Sequence, residues 1–108
     1  KLKLDNMYVF IDYNKWQATG RSNQILELEP LKEKFKSFSW ASAEVNGHDI
    51  EKIIKTIKVL EKKSGKPKII IAHTIKGKGV SFMEDNNNWH YRSPTNLEFE
   101  QAKIEILS

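Results

Sequence analysis

Asp12, Asn14 and Trp16 stand together in the segment DYNKW, directly after a run of apolar residues. An Asp and an Asn one residue apart at a strand end can present oxygen to a hard cation. Mg²⁺ takes octahedral oxygen ligands and is commonly completed by phosphate oxygens. A neutral Asn ligand avoids excess negative charge beside a diphosphate. The same two residues also build turns, because their side chains bond local backbone. Residue type alone favours the turn.

Thr74-Ile75-Lys76-Gly77-Lys78-Gly79 has glycines that allow the backbone to approach a ligand closely. It lacks the P-loop spacing, and a flexible loop with two surface lysines accounts for it as well. Trp89-His90-Tyr91-Arg92 sets an imidazole beside aromatic rings and a cation. Such a histidine can donate to a phosphate or act as an acid or base. A structural histidine packed under a loop accounts for the pattern as readily. His48 reads as part of the turn before a helix, and His73 as the end of a strand. The spacing of the histidines matches no zinc signature, and the chain has no cysteine.

The surrounding elements decide whether these residues can meet. Met7 to Ile11 is apolar at nearly every position, which suits a strand covered on both faces. YNKWQATGRSNQ follows; it is too long for a hairpin and reads as a loop. Pro30 suits the first turn of a helix. Leu31, Phe35 and Phe38 give that helix one apolar stripe, and it should stop near Ser39–Trp40. Ala43 to Val45 is a short strand closed by Asn46-Gly47. Asp49 is the expected N-cap of a helix with Ile50, Ile53, Ile54, Ile57 and Leu60 on one face. Gly65 marks its end. Lys68 to Ala72 is a second buried strand, and Leu97 to Leu107 is a mildly amphipathic helix.

This order predicts an α/β fold, a partial doubly wound parallel sheet with flanking helices. Ligands of such sheets sit off the carboxyl ends of the strands. Two loops leave those ends, Asp12 to Gly20 and Thr74 to Pro94, and they hold the unusual residues.

The chain has 108 residues, 18 Lys plus Arg, 14 Asp plus Glu, and a formal charge of +4. That length supports one domain. A basic excess raises nucleic acid as a partner. Here, however, Arg21 and Arg92 are the only arginines, and the lysines alternate with acids as on solvated helix faces. Nucleic acid is therefore not an expected partner. No stretch approaches the about 20 apolar residues of a membrane span, so no membrane partner is expected either. No secretory leader opens the chain, and the lack of cysteine suits a reducing, cytoplasmic setting. A chain that opens on Lys1 rather than Met reads as processed or cut from something longer.

Three segments in order resemble the transketolase family. LDNMYVFIDYNKWQATG, residues 4–20, is similar to the segment that closes the family's thiamine-diphosphate motif, which opens with Gly-Asp-Gly and ends at an Asn after a strand. AHTIKGKGVSFME, residues 72–84, resembles a second cofactor-facing loop. NNWHYRSPT, residues 87–95, resembles the histidine segment. The resemblance implies thiamine diphosphate with Mg²⁺ or another divalent cation. It implies Asn14 as a metal and cofactor ligand through its side-chain oxygen, and Trp16 as a metal ligand through its main-chain carbonyl. Ile75 would lie against the cofactor. His90 would reach the diphosphate and the substrate and would be the catalytic residue, with Asp12 in support.

The Gly-Asp-Gly opening and the pyrimidine-binding domain are absent from these residues. Residues 1–108 would then be the rear portion of the diphosphate-binding domain, as in the first subunit of split transketolases, and inactive alone. The implied reaction moves a two-carbon ketol unit from a ketose phosphate to an aldose phosphate, as in the pentose phosphate pathway. Implied partners are sugar phosphates, the upstream segment and a pyrimidine-binding domain or second subunit, in a homodimer or heterotetramer. The alternatives are another thiamine-diphosphate enzyme, such as a deoxyxylulose-phosphate synthase or a pathway-specific sugar transketolase, and a non-enzymatic basic interaction domain.

Overall fold

The computed structural model describes residues 2–108. In chain order its elements are β1 (Tyr8–Tyr13), β2 (Trp16–Gln17), β3 (Gly20–Arg21), α1 (Ser22–Ile25), α2 (Leu31–Ser37), β4 (Ala41–Asn46), α3 (Ile50–Glu61), β5 (Lys68–His73), a 3₁₀ helix (Asn87–His90) and α4 (Asn96–Leu107). β1, β5 and β4 form a parallel sheet in that spatial order, flanked by helices. This is the α/β architecture that alternating strands and helices predict.

β5 runs through the middle because its sequence is apolar on both faces. Ile69, Ile70 and Ile71 are fully buried, and each contributes about 2 kcal/mol of burial free energy. Ile70 and Ala72 pack with Val45 of β4 and Leu60 of α3, and Ile53 and Ile57 border the cluster. Ile53, Ile57 and Leu60 of α3 thus cover one face of the sheet, while Ile50 and Ile54, expected on the same stripe, are left 68% and 47% exposed. Asp49 caps that helix as expected, accepting the Lys52 N–H at 2.9 Å. This bond and the Lys52 ammonium hold the Asp49 carboxyl below the usual carboxylate range. Gly65, at φ +67°, turns the chain from the helix toward β5.

Three further expectations need correction. β1 is not covered on both faces, since Phe10 is 50% exposed, and among the described residues it is an edge strand paired with β5 alone. Phe38 does not complete the stripe of α2. The helix ends at Ser37, Ser39 takes φ +66°, and Phe38 is left 78% exposed at the helix cap. Residues 13–24, expected as a loop too long for a hairpin, contain one, since β2 and β3 pair antiparallel, and α1 begins at Ser22. Strands of two residues are too short to show alternation. Among the described residues no helix is long and apolar enough to cross a membrane.

Candidate functional site at the carboxyl edge of the sheet

Register places Tyr13 beside His73 and His73 beside Asn46. The three strands therefore end in one row, and the loops that leave them start side by side. The Thr74 hydroxyl donates to Asp12 Oδ1, joining the exits of β5 and β1. Gly47 donates its N–H to the His73 carbonyl at 2.8 Å. His48 Nε2 accepts the Ile75 N–H at 2.8 Å, joining the exits of β4 and β5. His48 also makes the turn bond expected of it, donating its N–H to Asn46 Oδ1 at 3.0 Å. His73 ends β5 as expected, and its Nδ1 accepts from the Lys15 ammonium at 3.0 Å.

Asn14 and Trp16 share one turn. Asn14 Oδ1 accepts the Trp16 N–H at 2.9 Å, the local bond that residue type favours. An amide oxygen has two acceptor positions, so this bond leaves one for a cation. Trp16 is the first residue of the hairpin, in register with Arg21. The Arg21 guanidinium stacks over the Trp16 ring at 3.8 Å.

The loop after β5 folds back onto this hairpin. Gly77 takes φ +71°, and a Cβ there would lie 2.6 Å from the Met83 carbonyl oxygen, so only glycine fits the close return. Glu84 accepts the Gly79 N–H at 3.0 Å and faces Lys78 at 3.4 Å. The Gly79 bond is the main cause that holds the Glu84 carboxyl below its usual range. Asp85 accepts the Trp16 indole N–H at 2.8 Å and takes a bidentate pair from Arg21 at 2.7 and 2.5 Å. Arg21 first, and then the indole, lower the Asp85 pKa. Asn87 donates to the carbonyls of Gln17 and Ala18 at 3.2 and 3.0 Å, and the Tyr91 hydroxyl donates to Ala18 as well.

His90 closes the 3₁₀ helix between these anchors. It is exposed and meets the Tyr91 ring edge-on at 5.0 Å between centroids. Arg92 stacks over Trp89 at 3.7 Å and pairs with Glu98 at the start of α4.

All four sequence-predicted residues thus stand on the two loops that leave the carboxyl ends of β1 and β5. Asn14 and Trp16 are brought into direct contact. Among the described residues no hydrogen bond or ring contact joins Ile75 or His90 to that pair: Ile75, 41% exposed, bonds His48, and His90 meets Tyr91. No local spacing signals Asp85, Arg21 or Asn87, because their partners lie 64 to 70 positions away.

The donor set suits a hard ion. Asn14 and Trp16 offer neutral oxygens, and among the described residues no group of three or more His, Cys, Asp or Glu side chains gathers to hold a metal. An ion held here would draw its other oxygens from a phosphorylated ligand and from protein beyond these residues. Exposed Ile75 leaves an apolar side chain open to such a ligand, whereas Gly77 is packed against Met83 and the Gly79 N–H is taken by Glu84.

A family described as transketolase, thiamine diphosphate binding domain, matches residues 1–106. A subunit of the apulose-4-phosphate transketolase of Phocaeicola vulgatus is 38% identical over 104 residues, covering 96% of this chain and 37% of that protein. The 6-deoxy-6-sulfo-D-fructose transketolase subunit SqwG of Clostridium sp. is 36% identical over 104 residues, covering 96% and 38%. The chain therefore spans little more than a third of the length of these relatives. The crystal structure of transketolase from Campylobacter jejuni superposes with a TM-score of 0.86 at 30% identity, over 96% of this chain and 16% of that one.

Proposed function

This chain belongs to the transketolase family, within its thiamine diphosphate binding domain, and we propose that it forms the rear, metal- and diphosphate-facing edge of a ketol-transferring enzyme. The observation that carries the reading is the Asn14–Trp16 turn at the carboxyl end of β1, inside the matched residues. In the proposed enzyme a two-carbon ketol unit passes from a ketose phosphate to an aldose phosphate. When bound, thiamine diphosphate supplies the stabilised carbon nucleophile that carries the unit.

The residues of this chain hold and orient. Asn14 Oδ1 and the Trp16 carbonyl would hold a divalent cation such as Mg²⁺, which would offset the negative charge of the diphosphate. Ile75 gives the cofactor an apolar contact. His90 would donate a hydrogen bond to the diphosphate or to the hydroxyl end of the sugar, with the Tyr91 ring edge-on against it. Fixed orientation of this kind lowers a reaction barrier by several kcal/mol, on the order of the entropy of bringing partners together.

Both of these relatives are named as subunits, which supports a division of the enzyme between two chains. Their names also support a narrower reading of substrate. Identity to these pathway-specific transketolases is 38% and 36%, against 30% to human transketolase over 107 residues. We therefore favour a ketose of a dedicated sugar pathway as donor.

The test is ketol transfer by the full-length parent protein together with its second chain, across a panel of ketose donors with an aldose phosphate acceptor. Turnover should require both thiamine diphosphate and a divalent cation. Turnover that survives removal of both overturns the reading. Equal turnover across all donors overturns the narrower one.

A further inference from the structure

We propose that Asp85 is a positioning residue that locks the His90-bearing loop onto the hairpin and so fixes the main-chain carbonyl of Trp16. The inference rests on the reading that Asn14 and Trp16 face the cation.

Trp16 is held at both ends. Its N–H goes to Asn14 Oδ1 at 2.9 Å and its indole N–H to Asp85 Oδ1 at 2.8 Å. A residue anchored by backbone and side chain has little freedom left to swing its carbonyl. Asp85 also grips the facing strand, because Arg21 is the register partner of Trp16 and chelates both carboxylate oxygens. Arg21 stacks on the same indole at 3.8 Å, so the three side chains close a triangle. Asp85 is in turn fixed to the start of its own loop. It takes φ +53°, which Asp tolerates, and donates its N–H to the Lys76 carbonyl at 2.9 Å, one residue after Ile75. The cofactor-facing end of one loop is thereby tied to the metal-facing turn of the other.

Exposure separates positioning from stability. The Arg21 and Asp85 side chains are 35% and 49% exposed, and ion pairs that wet contribute little to folding. The Asn87 bonds to Gln17 and Ala18 keep the loop close when Asp85 is replaced. Loss of Asp85 should therefore loosen the turn without unfolding the domain.

The test uses the intact parent enzyme and reads the Mg²⁺ concentration that half-saturates thiamine diphosphate binding, measured by calorimetry. Asp85→Ala should raise it about 10-fold, as for other groups that orient a metal ligand. Trp16→Phe keeps the carbonyl and removes only the indole N–H. It should shift the value in the same direction by less, and the double variant should match Asp85→Ala alone. Melting temperatures without cofactor should stay near wild type. If Asp85→Ala does not fold, Trp16→Phe decides alone. Wild-type values for Asp85→Ala and Trp16→Phe, or shifts that add fully in the double variant, overturn the inference. Asn14→Ala separates the two readings: a raised value for it alone leaves the metal assignment standing and sinks the lock, and no change in any variant sinks the metal assignment.

Discussion

His48 Nε2 accepts the main-chain N–H of Ile75 at 2.8 Å, across the exits of neighbouring parallel strands. Beside it, the Gly47 N–H donates to the His73 carbonyl at 2.8 Å. A Cβ at position 47 would fall 2.4 Å from Thr74 Cγ2 and 3.1 Å from Ala72 Cβ. Thr74 is not free to rotate away, because its hydroxyl is committed to Asp12. Gly47→Ala is therefore expected to cost about 1–3 kcal/mol, as overpacking does. Thermal unfolding of the intact protein checks this. A melting temperature equal to wild type would show that the two exits are not packed this closely.

His90 carries the one acid–base group that the proposed chemistry draws from this chain. It is exposed, and its ring contact is the edge of Tyr91. The Tyr91 bond to Ala18 and the Arg92–Glu98 pair hold the segment without it. His90→Ala should therefore lower turnover by about 100-fold, as loss of a general acid or base does. Stability should stay within about 0.5 kcal/mol. Steady-state kinetics beside thermal melts check the pair of outcomes. A strongly destabilised variant with normal specific activity would make His90 a packing residue.

The elements with local signals were legible in the sequence, and those built by long-range pairing were not. The isoleucines of β5 and the Asp49 cap each announce themselves within a few residues, and both form as expected. Asn14 could be placed at a strand end because the apolar run before it stops there. Phe38 was misplaced because periodicity carries no information about where a helix ends, and α2 ends one residue earlier. Asp85 was invisible as a partner of Trp16 and Arg21. Those contacts span 69 and 64 positions and exist only because β1 and β5 pair in one register. The hairpin of β2 and β3 was hidden for a similar reason, since loop contacts from Asn87 and Tyr91 support what its own length cannot.

The start of α4 should make stability depend on acid. Thr95 and Glu98 form a reciprocal cap, and Arg92 chelates the Glu98 carboxylate at 2.9 and 2.7 Å. Arg92 first, and then the Thr95 N–H, lower the Glu98 pKa from 4.5 to about 2. The folded protein thus favours the charged form more than the unfolded chain does. Its stabilisation is complete above 4.5 and is lost as pH falls toward 2. Glu98→Gln should flatten the fall of the melting temperature across that window. Thr95→Ala should cost about 1 kcal/mol at neutral pH. Melts recorded as a function of pH check both, and parallel curves for wild type and Glu98→Gln would remove Glu98 from the acid response.

The same helix carries more apolar surface than its packing uses. Ala102 is buried, while Leu97 is 86% exposed and Phe99, Ile104, Ile106 and Leu107 are exposed with it. Phe10 adds to this on β1, whose outer edge pairs with no strand among the described residues. Apolar patches of this kind mark surfaces that associate, and an unpaired strand edge adds backbone groups that favour pairing with another chain. Residues 1–108 expressed alone should therefore form assemblies whose mass rises with concentration, measured by light scattering after gel filtration. Leu97→Lys together with Ile104→Lys should lower that mass, because each puts a charge on the exposed part of α4 and leaves Ala102 in place. A monomer at every concentration would show that these residues, though exposed, do not form an adhesive surface.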